Sequence, residues 1–363
     1  MQITRIGLVG PLPPPYGGMA NQTRQLGNLL EQEGVHVEWV QTNAAYRPAW
    51  TGKIKGLRAV VRLLPYLFRL WCSAGKVQLF HIMANSGWAW HLYAAPAIWI
   101  ARLRKIPVIV NYRGGEAEAF FRESWFWVRP SLDITDMIIV PSGFLEAVFG
   151  QRGYTVTIVP NIIDLSRFAA RAPEDRRGCN DFPHIVVTRN LEAIYDNATA
   201  IRAFASVKEN YPNARLTVAG AGPEKTMLEN LVSELRVQDA VRFAGRIDND
   251  AVAALYRSAD LMINASLVDN MPISILEALA SGVPVVSTDA GGIPYLVEHD
   301  KTALLVPKKD PAAMADAIAR ILNNQTLIKN LREQGLRLVQ KFTWLVIKNQ
   351  LLSVYRQVLQ KSR

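Results

Sequence analysis

Short apolar runs rich in Val and Ile alternate along the chain with longer stretches whose apolar residues recur every three or four positions. TRIGLVG (4–10), VHVEWV (35–40), VQLFHIM (77–83), PVIVNYR (107–113), MIIVPS (137–142) and TVTIVP (155–160) read as strands. Between them MANQTRQLGNLLEQEG, stopped by Gly34, and HLYAAPAIWIARL read as helices. The alternation restarts at HIVVTRN (184–190) and continues through ARLTVAG, VRFAG, LMINAS, VPVVS and TALLVP. The helical stretches of this half are NATAIRAFASVKENYP, KTMLENLVSEL, DAVAALYRSA, ISILEALAS and DPAAMADAIARIL. Strands that alternate with helices argue for parallel, doubly wound sheets. The charged segment RAPEDRRGCNDFP (171–183) reads as the linker between two such halves. The expected fold class is therefore α/β, with domains at 1–170 and 171–345 and a last helix at 346–363.

Length agrees, since 363 residues exceed what one core usually holds. Half the residues are apolar, which excludes disorder. Cys72 and Cys179 have no metal-ligand spacing, and two cysteines fit a reducing cytosol. The N-terminal run is too short for a signal peptide, and Asn85, Ser86, His91 and Pro96 interrupt the one membrane-span candidate, near 83–101. A cytoplasmic protein is expected. Of the net charge of +10, +6 falls within the first 165 residues, which suits a phosphate-bearing substrate or an anionic lipid surface. No nucleic-acid-binding motif accompanies it, so no nucleic-acid partner is expected.

Candidate chemistry concentrates in DNMPISILEALASGVPVVSTDAGGIP, residues 269–294. Asp269 lies in the loop after a strand, and Glu277 about one turn into the following helix. Between them the free amides of the first turn, around Ser274 and Ile275, offer a positive end to a diphosphate. A second loop of this kind is GPLPPPYGGMANQ (10–22), where Gly17 and Gly18 would let a phosphate approach the backbone.

The 269–294 stretch resembles the signature of retaining family 4 glycosyltransferases of the GT-B fold, in which two acidic residues separated by seven others precede a GVPVVSTDAGGIP-like run. Asp269 stands where those proteins usually carry Glu. The resemblance implies two Rossmann-like domains facing a central cleft, with the last helix crossing back to the first domain. It implies that Asp269, Asn270 and Met271 meet the donor sugar and Glu277 the ribose. It places Arg246 and Ile247, in FAGRIDND, at the nucleobase, and Gly17–Gly18 at the diphosphate. VPNIIDLSRF (159–168) and the AGAGPEK turn (219–225) match further family runs, the first with a structural role. The pattern departs from the family at VVTRNLEAIYDN: Asn190 and Tyr195 stand at the usual arginine and lysine of a diphosphate clamp, with Arg189 one place early. Arg113 occupies a position where relatives commonly carry a histidine near the sugar, which suggests an acidic sugar donor or acceptor; pairing with Glu116 or Glu118 is the alternative. His81 is a second candidate there, or a satisfied core histidine.

The function so implied is transfer of a sugar from a nucleoside diphosphate to a glycan or lipid-linked acceptor, with retention, in bacterial-type cell-surface polysaccharide synthesis. Catalysis would rest on Asp269, Glu277 and Arg113, without metal or cofactor. The alternatives are a nucleotide-sugar epimerase and a binding-only partner subunit. Finally, Ile54, Leu57, Val61, Leu64, Phe68 and Trp71 recur at helical spacing among Lys53, Lys55, Arg58, Arg62 and Arg69. Such a stripe either lies on an anionic membrane or is buried in the protein's own core. Trp88, Trp90, Trp99, Trp125 and Trp127 add aromatic surface nearby.

Overall fold

The computed structural model describes residues 2–14, 17–46, 50, 54, 57–170 and 182–361. Lys53, Lys55, Cys179 and nearly all of the expected linker lie outside the described residues. The chain forms two compact units, Met1–Ile162 with Trp344–Arg363, and Ile163–Thr343.

In the first unit, β1 (Arg5–Gly10), β2 (His36–Gln41), β3 (Phe80–Ala84), β4 (Val108–Tyr112), β5 (Met137–Val140) and β6 (Thr157–Ile158) form one sheet in the order β2-β1-β3-β4-β5-β6. Every pairing is parallel. The crossovers run through α1 (Gly18–Gln32), α2 (Leu57–Ala74), α3 (Ala95–Leu103), α4 (Ala117–Asp133) and α5 (Gly143–Gly150). A π-helical turn, Trp90–Ala94, leads into α3 and buries Trp90. β3 and β4 are buried at every position, as expected of strands covered on both faces.

In the second unit, β7 (His184–Val187), α6 (Asn197–Asn210), β8 (Arg215–Ala219), α7 (Lys225–Glu234), β9 (Val241–Gly245), α8 (Asn249–Ser258), β10 (Leu261–Asn264), α9 (Ile273–Ala280), β11 (Val285–Thr288), α10 (Ile293–Leu296), β12 (Leu304–Val306), α11 (Pro311–Leu322) and α12 (Gln325–Val339) follow in turn. Their sheet, also parallel, has the order β12-β11-β10-β7-β8-β9. Asp196, Asp248, Asp310 and Asn324 cap α6, α8, α11 and α12 through their side chains. Gly282, at φ +67°, ends α9 where a left-handed residue is required.

α13 (Trp344–Lys361) returns to the first unit, burying Ile347, Leu351, Val354 and Tyr355 there. Trp344 Nε1 and Lys348 Nζ both donate to Glu33, at 3.0 and 3.1 Å. The first boundary falls earlier than residue 170 because Ile163 donates to the Phe342 carbonyl at 2.9 Å and joins Phe168 in the second unit's core.

Candidate active site

Strand order decides which loops meet. In the second sheet β8 and β9 extend to one side of β7, and β10 lies on the other. The carboxyl ends of β7 and β10 thus flank a topological switch point, where open α/β sheets form their binding crevices. Arg189 follows β7 and Asp269 follows β10, so residues 80 apart in sequence come into contact. Arg189 Nη2 pairs directly with Asp269 Oδ2, and both side chains are only 12% exposed. Arg189 Nη1 donates to Ser274 Oγ at 3.4 Å, and the guanidinium lies 4.0 Å over the Tyr195 ring. Arg189, one place early, thus lies beside Asp269, and Tyr195, one of the two clamp departures, stacks against it. Asn190 instead donates to Glu192 at 3.0 Å. Arg189 Nε–H is buried without an acceptor among the described residues.

Both carboxylates feel their burial. It raises the Asp269 pKa, opposed chiefly by the Arg189 charge, while the Asn270 amide donates to Asp269 Oδ1 at 2.8 Å. Burial pushes Glu277 up to about 8, against the pull of Arg189 and Arg167. Tyr256, which the sequence reading missed, fixes the start of α9 beneath this pair. Its buried hydroxyl donates to the Ser274 carbonyl at 3.0 Å and bonds Thr188 Oγ1 at 2.6 Å, tying β7 to α9. In sequence it is one aromatic on the apolar stripe of α8, with nothing to set it apart from core. The Ile275 amide is already engaged, donating to the Pro272 carbonyl at 3.2 Å. Ile275 and Met271 are buried in the apolar core, and the Asn270 side chain is also buried. Arg246 is exposed at the end of β9. Three strand spacings separate β9 from β10, roughly 14 Å, so one end of an extended ligand would lie at each.

The glycine loops fall into two kinds. A Cβ on Gly291 or Gly292 would stand 2.3 Å from the Asp269 carbonyl oxygen or 1.8 Å from that of Asn270. On Gly220 or Gly222 it would meet the Arg189 or Leu191 carbonyl oxygen at 2.0 or 2.2 Å. These glycines let loops pack on one another and so hold Arg189 and Asp269 in place. Gly17 and Gly18 differ: a Cβ there meets nothing within 4 Å, and Gly17 has the extended backbone any residue adopts. Packing does not require them. The loop before them is held by Asn43, which exchanges two hydrogen bonds of 2.8 Å with Leu12, and by Arg24, which donates to the Pro13 carbonyl at 2.7 Å.

Arg113 follows β4 in the first unit and forms no ion pair among the described residues, Glu116 and Glu118 included. Its Nε donates to Asn111 Oδ1 at 3.2 Å. Asn111 Nδ2 then faces His81 Nε2 at 3.0 Å, and His81 Nδ1 faces the Tyr355 hydroxyl at 2.8 Å. Because the Arg113 N–H can only donate, the chain is directional: Asn111 donates to Nε2, and His81 carries its proton on Nδ1 and donates to Tyr355. Burial, and then the Arg113 charge, holds His81 down at about 3. His81 is a satisfied, neutral core histidine. Burial lowers Arg113 to about 10, still charged at neutral pH. Among the described residues no group of three or more His, Cys, Asp or Glu is placed to hold a metal ion.

Comparison with known proteins gives this geometry a family. The sequence model described as "Glycosyl transferases group 1" matches residues 180–337, and that described as "Glycosyltransferase Family 4" matches residues 16–167. The chain belongs to the glycosyltransferase family these two models define, and its fold is the α/β GT-B fold. Glycogen synthase of Mycobacterium tuberculosis is 27% identical over 280 residues, 73% of this chain and 66% of that protein. Sucrose-phosphate synthase from Thermosynechococcus elongatus has a TM-score of 0.76 at 22% identity, covering 99% of this chain and 100% of that one. Anabaena HepE in complex with UDP-glucose has a TM-score of 0.75 at 18% identity, covering 97% and 99%. The chain spans between 40% and 66% of the length of curated relatives it matches.

Proposed function

We propose that the protein transfers a sugar from a nucleoside diphosphate donor to a glycan or lipid-linked acceptor, with retention of configuration, in cell-surface polysaccharide synthesis. The observation that carries this reading is the Arg189–Asp269–Ser274 constellation at the switch point of the second sheet, with Glu277 one turn further along α9. In the reaction the bond from the sugar's anomeric carbon to the diphosphate oxygen breaks and the acceptor oxygen bonds to that carbon. The acceptor's proton leaves, and negative charge collects on the diphosphate. Arg189, with a buried N–H still to be used, would bind that charge, helped by the N-terminal end of α9. Asp269 would then be free to accept from the sugar's hydroxyls. The Glu277 carboxyl group makes no hydrogen bond with a described residue and would meet the ribose. Arg246 and Ile247 would lie at the base, and Asn270 and Met271, their side chains buried, would meet the sugar through backbone. The complex of HepE with UDP-glucose supports a nucleotide-sugar donor. No cofactor enters this chemistry. Arg189 beside Asp269 also favours catalysis over the binding-only alternative, which rested on a missing clamp.

The test is release of nucleoside diphosphate from a panel of UDP-, GDP- and ADP-sugars with glycan and polyprenyl-phosphate acceptors. Arg189→Ala should lower turnover by about a hundredfold or more, the usual loss of one charge-stabilising donor, with Arg189→Lys recovering part of it. Turnover that survives Arg189→Ala unchanged would remove the arginine from the mechanism.

A further inference from the structure

Leu64, Phe68 and Trp71 of the stripe on α2 are not buried in the protein's own core. Leu64 is 61% and Phe68 71% exposed, with Val60 and Trp71 exposed beside them. The opposite side of the same helix already fills the core with Tyr66, Leu70 and Ala74. α2 is therefore apolar on both faces, although one face suffices to dock it. The exposed side is continued by its neighbours: Arg104, just after α3, lies 4.8 Å over the Trp71 ring, and Trp99 Nε1 on α3 donates to Ser131 on α4 at 3.1 Å. α3 adds exposed Trp99 and Leu103, and α4 adds Phe126 and Trp127, the last 69% exposed. The charge carried by α2 and α3 is one-sided. Between Glu38 and Glu116 the chain has no acidic residue and eleven lysines and arginines. The balancing acids of this region, Glu118, Glu123 and Asp133, all lie on α4.

We infer that the outer face of α2, α3 and α4 is a docking surface for an anionic phospholipid bilayer. Exposed Leu, Phe and Trp side chains ringed by arginine are what an interfacial helix needs, with the aromatics entering the headgroup boundary and the cations meeting lipid phosphate. A second copy of the chain fits this face poorly, because a two-fold contact would press two cationic surfaces together. Among the described residues no helix is long and apolar enough to cross a membrane, so attachment here would be to the surface. The inference deepens the lipid-linked-acceptor reading, since such an acceptor would be met at this surface.

Flotation of the full chain with vesicles tests it. The protein should float with vesicles of equal parts phosphatidylglycerol and phosphatidylcholine, weakly with phosphatidylcholine alone, and less as salt rises. The triple variant Leu64→Ser, Phe68→Ser, Trp71→Ser should lose at least tenfold in partition. Arg69→Glu with Arg104→Glu should lose as much, at about 1 kcal/mol per cation near the surface. Both variants should keep the wild-type melting temperature and nucleotide titration, because every substituted residue is exposed and lies in the first unit, outside the proposed donor site. Failure of the wild type to bind anionic vesicles, unchanged binding by the triple variant, or self-association that the triple variant abolishes would overturn the inference. A protein that binds vesicles but turns over no nucleotide sugar would instead overturn the proposed reaction and leave the docking surface standing.

Discussion

At the scale of single residues the site is a problem of charge in a confined place. Arg189 and Asp269 neutralise one another, and removing one partner of a buried pair commonly costs about 3 kcal/mol or more. Glu277 has no direct cation, so burial keeps a proton on it up to about pH 8. The folded state therefore holds a proton that the unfolded chain releases near 4.5, the group's ordinary value. Stability must then fall as pH rises between about 4.5 and about 8. Glu277→Gln, which keeps the shape and cannot ionise, should gain stability relative to wild type across that window. Paired thermal melts at pH 5 and pH 8 check this; an equal difference at both would mean that the carboxyl is already ionised at the lower pH. Much of the candidate site was legible in sequence, because Asp269, Glu277 and Arg189 are conspicuous where they stand. What was not legible is that Arg189 pairs with Asp269, since that contact depends on β10 lying beside β7, and no local pattern carries strand order.

Elements were read more completely than their partnerships. Short Val- and Ile-rich runs flanked by turn residues marked every strand of both sheets, whereas α5, α10 and α12 were missed. α12 is largely polar with a thin apolar edge, packing Gly335 against Leu279 of α9, where a Cβ would come within 2.8 Å. The glycines of the AGAGPEK and AGGIP turns are required by backbone–backbone approach, a constraint that involves residues far away in the chain. The last helix gives a sharper case. Tyr355 on α13 ends the directed chain from Arg113 through Asn111 and His81. Tyr355→Phe leaves the buried His81 N–H without an acceptor and should cost about 1 to 3 kcal/mol in urea unfolding. Nitrogen NMR of the wild type should find His81 neutral with its proton on Nδ1. A proton on Nε2 would break the chain and contradict the orientation assigned to Asn111.

Across the whole molecule the chain is built from two sheets of related winding, and each places its candidate residues at carboxyl ends beside a reversal of strand order. In the first sheet β2 and β3 flank β1, so the Gly17–Gly18 loop follows the strand at the reversal; in the second, Arg189 and Asp269 straddle it. The first unit is discontinuous in sequence, because α13 supplies Tyr355 and its apolar neighbours from the far end of the chain. Its return was implied only by the family resemblance, since the helix's amphipathic pattern does not say which domain it covers. The account as a whole stands on a nucleoside diphosphate being held where β7 and β10 diverge. Calorimetric titration of the full chain with UDP, GDP and ADP, repeated with Glu277→Ala, tests that most directly. One nucleotide should bind well above the others and lose its affinity in the variant; binding of none, or equal binding by the variant, would contradict it.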